Sequence, residues 1–458
     1  MNELPQADVA LNAQAGEGDQ QKPVVTTPAK KEKPIDWGVI NRLNQNFYLI
    51  YGTSTVYDNE TKRIMLIRDL RNIFGDAVRF WLSSPLRKMV LSDQVVFDPT
   101  FVGHIISDEP TEYFSNQINL FYGLEVIPKK GRCDLILAHV LRLCNGDPEL
   151  RDWVLRWVAF PLQNMGAKMR TSIIMHGEEG TGKNIFWEEI VCKLYGKYGI
   201  VITQSQIENQ FTGWISCKLF AVADEVVSQA EKRHIKGRLK YYVTGGQVSV
   251  NEKNLPERWE KNHMNFVFLS NDIQPLILDT GDRRYTVIWC DDVPDKNYFN
   301  ALANEINNGG LEAFYAHLKA LDLDGFNEHT KPYKNKARSD LIDLGRSPTQ
   351  RFFKEWEGQR LPVDFVCCKA SDLYKAFIKW CNENGEKYHP TSTAFGREIS
   401  RFIEKKENIK IWIGTASWQG NIYVPVPPPP ECVQAQKIKE YIENEVIEFS
   451  QSLTDWGR

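Results

Sequence analysis

The sequence predicts an α/β protein built on a largely parallel sheet, with smaller folded regions on either side of it. Three observations carry this. Short apolar strands recur between residues 172 and 272, a glycine-rich turn follows the first of them, and helical patterns fill the intervals. Buried parallel strands read as unbroken apolar runs because both of their faces are covered. The chain has 458 residues, 42% of them apolar and 12% aromatic, so it can bury several cores.

The elements follow in order. Residues 1–36 are rich in Ala, Gln, Gly, Pro, Lys and Glu, bury too little to offset ordering entropy, and are expected to be disordered. Residues 37–165 are expected to form a mixed α/β accessory domain. Phe47–Gly52 and Arg63–Ile67 read as strands around a polar turn. A single helical pattern covers 69–82, and two more precede Pro161, where the second should end.

The central domain is expected over 166–330. Ser172–Gly177, Leu219–Val226 and Asn265–Asp272 read as strands, and Leu311–Leu323 as an amphipathic closing helix. After that, three helical stretches at 347–357, 371–385 and 392–407 precede a strand-turn-strand at 410–426. Three helices and a hairpin over 331–426 predict a winged-helix-like domain. Residues 427–458 are expected to be a proline spacer and a final helix.

Net charge is −3, so no global basic signature marks a polyanion partner, although basic groups can still gather on one surface. The nine cysteines show no CxxC pair or zinc spacing, which fits reduced thiols. No apolar run is long enough to span a bilayer and no secretory signal is visible, so a cytoplasmic protein without a membrane partner is expected.

Gly177-Glu178-Glu179-Gly180-Thr181-Gly182-Lys183-Asn184 fits the GxxxxGK phosphate loop. Its glycines let backbone N–H groups turn onto phosphates, the following helix points its positive end there, and Lys183 reaches the β- and γ-phosphates. ATP with Mg²⁺ is the expected ligand. The last position is ordinarily Ser or Thr, whose hydroxyl binds the metal. Asn184 offers an amide oxygen instead. Asp224 and Glu225 end an apolar strand some forty residues on, where Asp224 can hold Mg²⁺ and Glu225 can polarise water. Any one of these groups alone reads as a solvated turn or strand end; their order gives them weight.

Further on come Gly245-Gly246, the alternating Val248-Ser249-Val250, Lys253 near a hairpin turn, Asn271 at a strand end, and Asp282-Arg283-Arg284. This order resembles superfamily 3 helicases of the phage, plasmid and poxvirus primase-helicase type. The resemblance extends over roughly 45–425, with its specific motifs in 171–290. It implies an AAA+ motor working as a homo-hexamer, with single-stranded DNA in its channel. In that picture Asn271 is a γ-phosphate sensor and Lys253 grips DNA in the pore. Arg283 or Arg284, with Arg284 favoured, is a finger into the neighbouring subunit. It implies an ATP-dependent replicative DNA helicase; an origin-binding initiator ATPase is the alternative, and a nucleotide-binding packaging component a third reading. No priming site is apparent, so a separate primase or polymerase partner is expected. Arg397, Arg401, Lys405 and Lys406 could face duplex phosphates from the C-terminal domain.

Overall fold

The computed structural model describes residues 36–102, 105–106, 116–225, 232–253, 257–279, 281–413, 415–432 and 434–456. All but the last residue of the expected N-terminal tail lies outside them. The chain divides into two compact units, Met1–Met89 and Val90–Arg458.

In the first unit, helix Trp37–Asn46 opens on Asp36, whose carboxylate accepts from the backbone N–H groups of Gly38 and Val39. A meander of Phe47–Tyr51, Thr55–Asp58 and Arg63–Leu66 follows. The middle strand corrects the simple hairpin expected from the sequence: the supposed turn contains a buried TVYD segment. The helical pattern over 69–82 is two helices, Ile67–Phe74 and Ala77–Leu82, broken at Gly75 with φ +57°. Leu43, Phe47, Val56, Leu70, Val78 and Trp81 form the unit's core.

The second unit is organised by a five-stranded, wholly parallel sheet. Tyr285–Cys290 takes one edge, followed by Ser172–Gly177, Asn265–Ser270, Phe220–Asp224 and Gly199–Ile202. Alternate residues serve opposite faces. Ile173, Met175, Val222, Val267 and Leu269 join one core with residues of helices Asp134–Leu143, Pro148–Gln163 and Leu311–Ala320. Ile174, Ala221, Ala223, Phe266 and Phe268 join another with Leu239 and Val243 of helix Lys232–Thr244, Val248 and Val250, and Leu341 and Ile342 of helix Lys336–Leu344. Coverage of both faces is why these strands read as unbroken apolar runs.

Two expectations are corrected here. The accessory region expected over 37–165 is not one body: the boundary falls at Met89, and 134–163 supply core to the sheet. The helix expected to stop at Pro161 runs from Pro148 to Gln163 with Pro161 inside it. A proline so close to the end forfeits one backbone bond and ends the helix within a few residues.

Beyond the sheet, helices Pro348–Glu357, Ala370–Glu383 and Ser392–Ile399 pack around Phe352, Trp356, Phe377, Trp380 and Phe395. The first is closed by a capping box, Ser347 with Gln350, and has Pro348 at its first position. The hairpin of Glu404–Ile413 and Ala416–Val424 follows, with Cys368–Lys369 on its second strand. The third helix is shorter than its sequence pattern, because Glu404–Lys406 belong to the hairpin. Helix Ala435–Trp456 packs Ile442 and Val446 on the hairpin and Phe449 into the helical core, so it shares the cores of these helices and this hairpin. Among the described residues, no helix is long and apolar enough to cross a membrane.

Candidate functional site

The site lies at the carboxyl ends of three neighbouring parallel strands. Gly177 ends one and begins the glycine-rich loop, Asp224 ends another, and Asn271 follows the strand between them. Ligands of open parallel sheets bind at such ends.

Two loop glycines are required by close approach. Gly177 has φ +130°, and a Cβ there would stand 2.1 Å from the carbonyl oxygen of Cys290. Gly182 has φ +90°, and a Cβ there would stand 2.6 Å from the ring of His139. Gly180 also has positive φ but has more room. Glu178 donates its N–H to Cys290, fastening the loop to the edge strand (2.8 Å). Thr181 is buried, while Glu178 and Glu179 are exposed.

Lys183 is buried along the loop. Its Nζ donates to the carbonyls of Glu178 (2.6 Å) and Gly177 (3.2 Å) and to the Thr181 hydroxyl (3.3 Å). Burial lowers its pKa, while Cys290, Asp224, Glu178 and Glu179 pull the other way. The helix that starts at Lys183 winds wide, with i→i+5 bonds over Ile185–Cys192. Asn184 is exposed in its first turn, and its Nδ2 donates to Glu188 (2.6 Å). Burial raises the Glu188 pKa, the Asn184 bond opposes that, and the nearby Asp224 adds to it.

Asp224 is half-buried. Glu225 takes a left-handed backbone conformation, φ +48°, and donates its N–H to Leu269 of the neighbouring strand. The Glu225 carboxylate accepts from Asn271 Nδ2 at 3.4 Å. The structure thus brings together Lys183, Asn184, Asp224, Glu225 and Asn271. These groups fit a Mg²⁺–nucleotide: turned glycines and a buried ammonium for phosphates, and a carboxylate and an amide oxygen for a hard cation.

Sequence reasoning missed two participants. His139 is buried against the loop, with Nε2 3.1 Å from the Gly182 carbonyl oxygen and Nδ1 3.0 Å from the Tyr298 hydroxyl. Nothing local in the sequence points to it. Glu188 had a signal: it lies one turn after the position where a hydroxyl is replaced by an amide. A cleft of about 450 Å³ adjoins, lined by Ala138, Leu141, Arg142, Asn145, Asp291 and Asp292, with Arg142 and Asp292 paired at 3.3 Å.

Other expected residues lie elsewhere. Strands Gln247–Val250 and Arg258–Lys261 form a hairpin, with Glu252 and Arg258 paired at its end (2.7 Å) and Lys253 exposed beyond them. Arg283 is exposed. Arg284 is committed to its own chain: its guanidinium bonds the buried Asp282 carboxylate through Nε (3.0 Å) and Nη2, and lies over the Tyr285 ring. Arg397 and Arg401 are exposed without side-chain partners among the described residues, whereas Lys405 is tied to Glu407 (2.7 Å) and Lys406 is half-buried.

Residues 175–284 match the profile of a family of unknown function, DUF5906. Over 277 residues the chain is 27% identical to the DNA primase-polymerase of Nitratiruptor phage NrS-1, which is 56% of this chain. The chain spans 38% of the length of that relative. Its fold is similar to an apo structure of the NrS-1 C-terminal region, with TM-score 0.65 and 17% identity, over 86% of this chain and all of that one. An A-form apo structure of the same region gives TM-score 0.59 and 17% identity, over 82% of this chain and 96% of that one.

These similarities overturn the superfamily 3 helicase reading, and the origin-initiator alternative with it. The named relative is a primase-polymerase. The physical reason is that a glycine loop, an acid-ended strand and an amide-ended strand are what phosphate binding demands. They recur in proteins of other named activities and do not report translocation. The mixed α/β fold stands, but an AAA+ motor does not follow from it. The hexameric ring rested on the resemblance alone.

Proposed function

We propose that this chain is a nucleotide-binding, DNA-holding region serving DNA priming and synthesis. The observation that carries it is the convergence of Lys183, Asn184 and Asp224 at the carboxyl ends of the two strands that flank Asn265–Ser270, beside a loop in which Gly177 and Gly182 are sterically required. Similarity to a phage primase-polymerase supplies the biological setting. The ligand is ATP with Mg²⁺. Lys183 and the loop N–H groups hold its phosphates, and Asn184 and Asp224 hold the metal, which when bound neutralises phosphate charge. Asn271 and Glu225 keep each other oriented at the phosphate end. DNA phosphates are held by exposed cations: Lys253 on the hairpin, and Arg397 and Arg401 on the C-terminal domain.

Equilibrium binding of a fluorescent ATP analogue tests this reading, together with anisotropy of labelled single-stranded template with and without nucleotide. Wild-type protein should bind both ligands. Lys183→Ala should lose nucleotide and keep template. Equal nucleotide affinity in wild type and Lys183→Ala would remove the phosphate loop as the site.

A further inference from the structure

We propose that Glu188 is a positioning residue: it turns the Asn184 side chain so that the amide oxygen, not the NH₂ group, is presented to Mg²⁺. This rests on the nucleotide-binding reading above and deepens it, because it explains how the loop works with Asn184 in place of a hydroxyl residue.

A serine or threonine hydroxyl presents an oxygen to a cation in any rotamer that reaches it. An asparagine has two unlike ends. Its oxygen can ligate a hard cation, whereas its NH₂ group carries partial positive charge and repels one. The two ends are nearly equal in size, so packing alone chooses weakly between them. Hydrogen bonding decides.

Here that choice has a visible cause. Nδ2 of Asn184 donates to Oε1 of Glu188 at 2.6 Å, and a carboxylate acceptor makes such a bond stronger than a neutral one does. An ionised carboxylate only accepts, so in that form Glu188 holds the NH₂ end and not the oxygen. Oδ1 of Asn184 has no hydrogen-bond partner among the described residues and remains available. Glu188 is itself half-buried on the helix that starts at Lys183, so the bond forms against a restrained partner. Residues behind a metal ligand commonly fix its orientation in this way.

The test is the Mg²⁺ dependence of fluorescent ATP affinity, measured in EDTA and in saturating Mg²⁺, with thermal melts to establish folding. Wild type should bind more tightly with Mg²⁺. Glu188→Ala should keep the affinity seen in EDTA and lose about tenfold of the Mg²⁺-dependent gain, the low end for a partner lost from behind a metal ligand. Asn184→Ala should lose a similar amount, and it tests the ligand even if Glu188→Ala folds poorly. In an Asn184→Ser background the orientation problem does not exist, so adding Glu188→Ala should cost nothing further. A full Mg²⁺ gain in Glu188→Ala overturns the proposal. So does an undiminished penalty in the serine background, which would make Glu188 a direct electrostatic partner of the metal. Absence of nucleotide binding by wild type, with or without Mg²⁺, would overturn the phosphate-loop reading itself, and this proposal with it.

Discussion

The Nε2 atom of His139 lies 3.1 Å from the carbonyl oxygen of Gly182, joining a helix that precedes the sheet to the glycine-rich loop. A carbonyl only accepts, so Nε2 donates. In the neutral ring Nδ1 then accepts from the Tyr298 hydroxyl, 3.0 Å away. Burial holds the His139 pKa below its usual 6.5. In the unfolded chain the ring binds a proton more readily, so folding is opposed as pH falls below about 6.5. The contribution is complete above that value and is lost as pH drops toward the lower folded pKa. His139→Gln can still donate to Gly182 but cannot titrate. Its urea midpoint should fall less than that of wild type between about pH 7 and pH 5. Parallel profiles would show that His139 does not report this proton.

Gly177 and Gly180 both have positive φ, but only Gly177 faces backbone at short range. Gly177→Ala meets a carbonyl that cannot move without disturbing the edge strand. Its cost should exceed the roughly 1–3 kcal/mol of a strained φ alone. Gly180→Ala meets only the tip of Val293 and should cost near the low end of that range. Urea denaturation of the two variants gives the order directly, and equal losses would contradict the geometry.

Much of this was legible because the responsible signals are local. Ser172–Gly177, Phe220–Asp224 and Asn265–Ser270 are apolar runs ending in polar or glycine residues, and the loop between strand and helix has its own spelling. Gly199–Ile202 and Tyr285–Cys290, the edge strands, went unread although both are rich in β-branched or aromatic residues, because no motif drew attention to them. His139 was illegible because its partner is 43 residues away and the contact depends on tertiary packing. The helicase reading erred differently: the ordered residues exist, but the structure brings only Lys183, Asn184, Asp224, Glu225 and Asn271 together, while Arg284 is held by Asp282.

Arg283 and Arg284 are adjacent and differ sharply in their surroundings. Asp282 is almost wholly buried, and Arg284 bonds it through two nitrogens. Arg284→Ala removes both guanidinium bonds and leaves the buried carboxylate the backbone N–H of residue 284 (3.1 Å), a loss of about 2–4 kcal/mol after allowing for the solvent that reaches Arg284. Arg283→Ala removes an exposed charge and should stay within about 0.5 kcal/mol of wild type. Chemical denaturation should therefore separate Arg284→Ala from Arg283→Ala by a clear shift in midpoint. Equal stability would mean that the Asp282 pair is dispensable and that Arg284 is free for other work.

Lys253 gives the sharpest test of the DNA-holding part of the proposal. It is exposed at the end of a hairpin, past the Glu252–Arg258 pair that closes the strands. In sequence this hairpin lies between Phe220–Asp224 and Asn265–Ser270, which are neighbours in the sheet. The hairpin is therefore an excursion from adjacent strands, held along its first strand by Val248 and Val250 in the core. A lysine at such a tip can touch a phosphate without reading a base, and each phosphate neutralised releases condensed counterions. Lys253→Ala should weaken DNA binding uniformly across sequences. The slope of log affinity against log salt should fall by about 0.7–0.9, as for one lost contact on a single strand or a duplex. Nucleotide affinity should stay unchanged, because neither the phosphate loop nor Asp224 depends on this side chain. Anisotropy titrations of one labelled DNA at several salt concentrations measure both the affinity and the slope. An unchanged slope with unchanged affinity would remove Lys253 from the DNA surface and leave Arg397 and Arg401 to carry it.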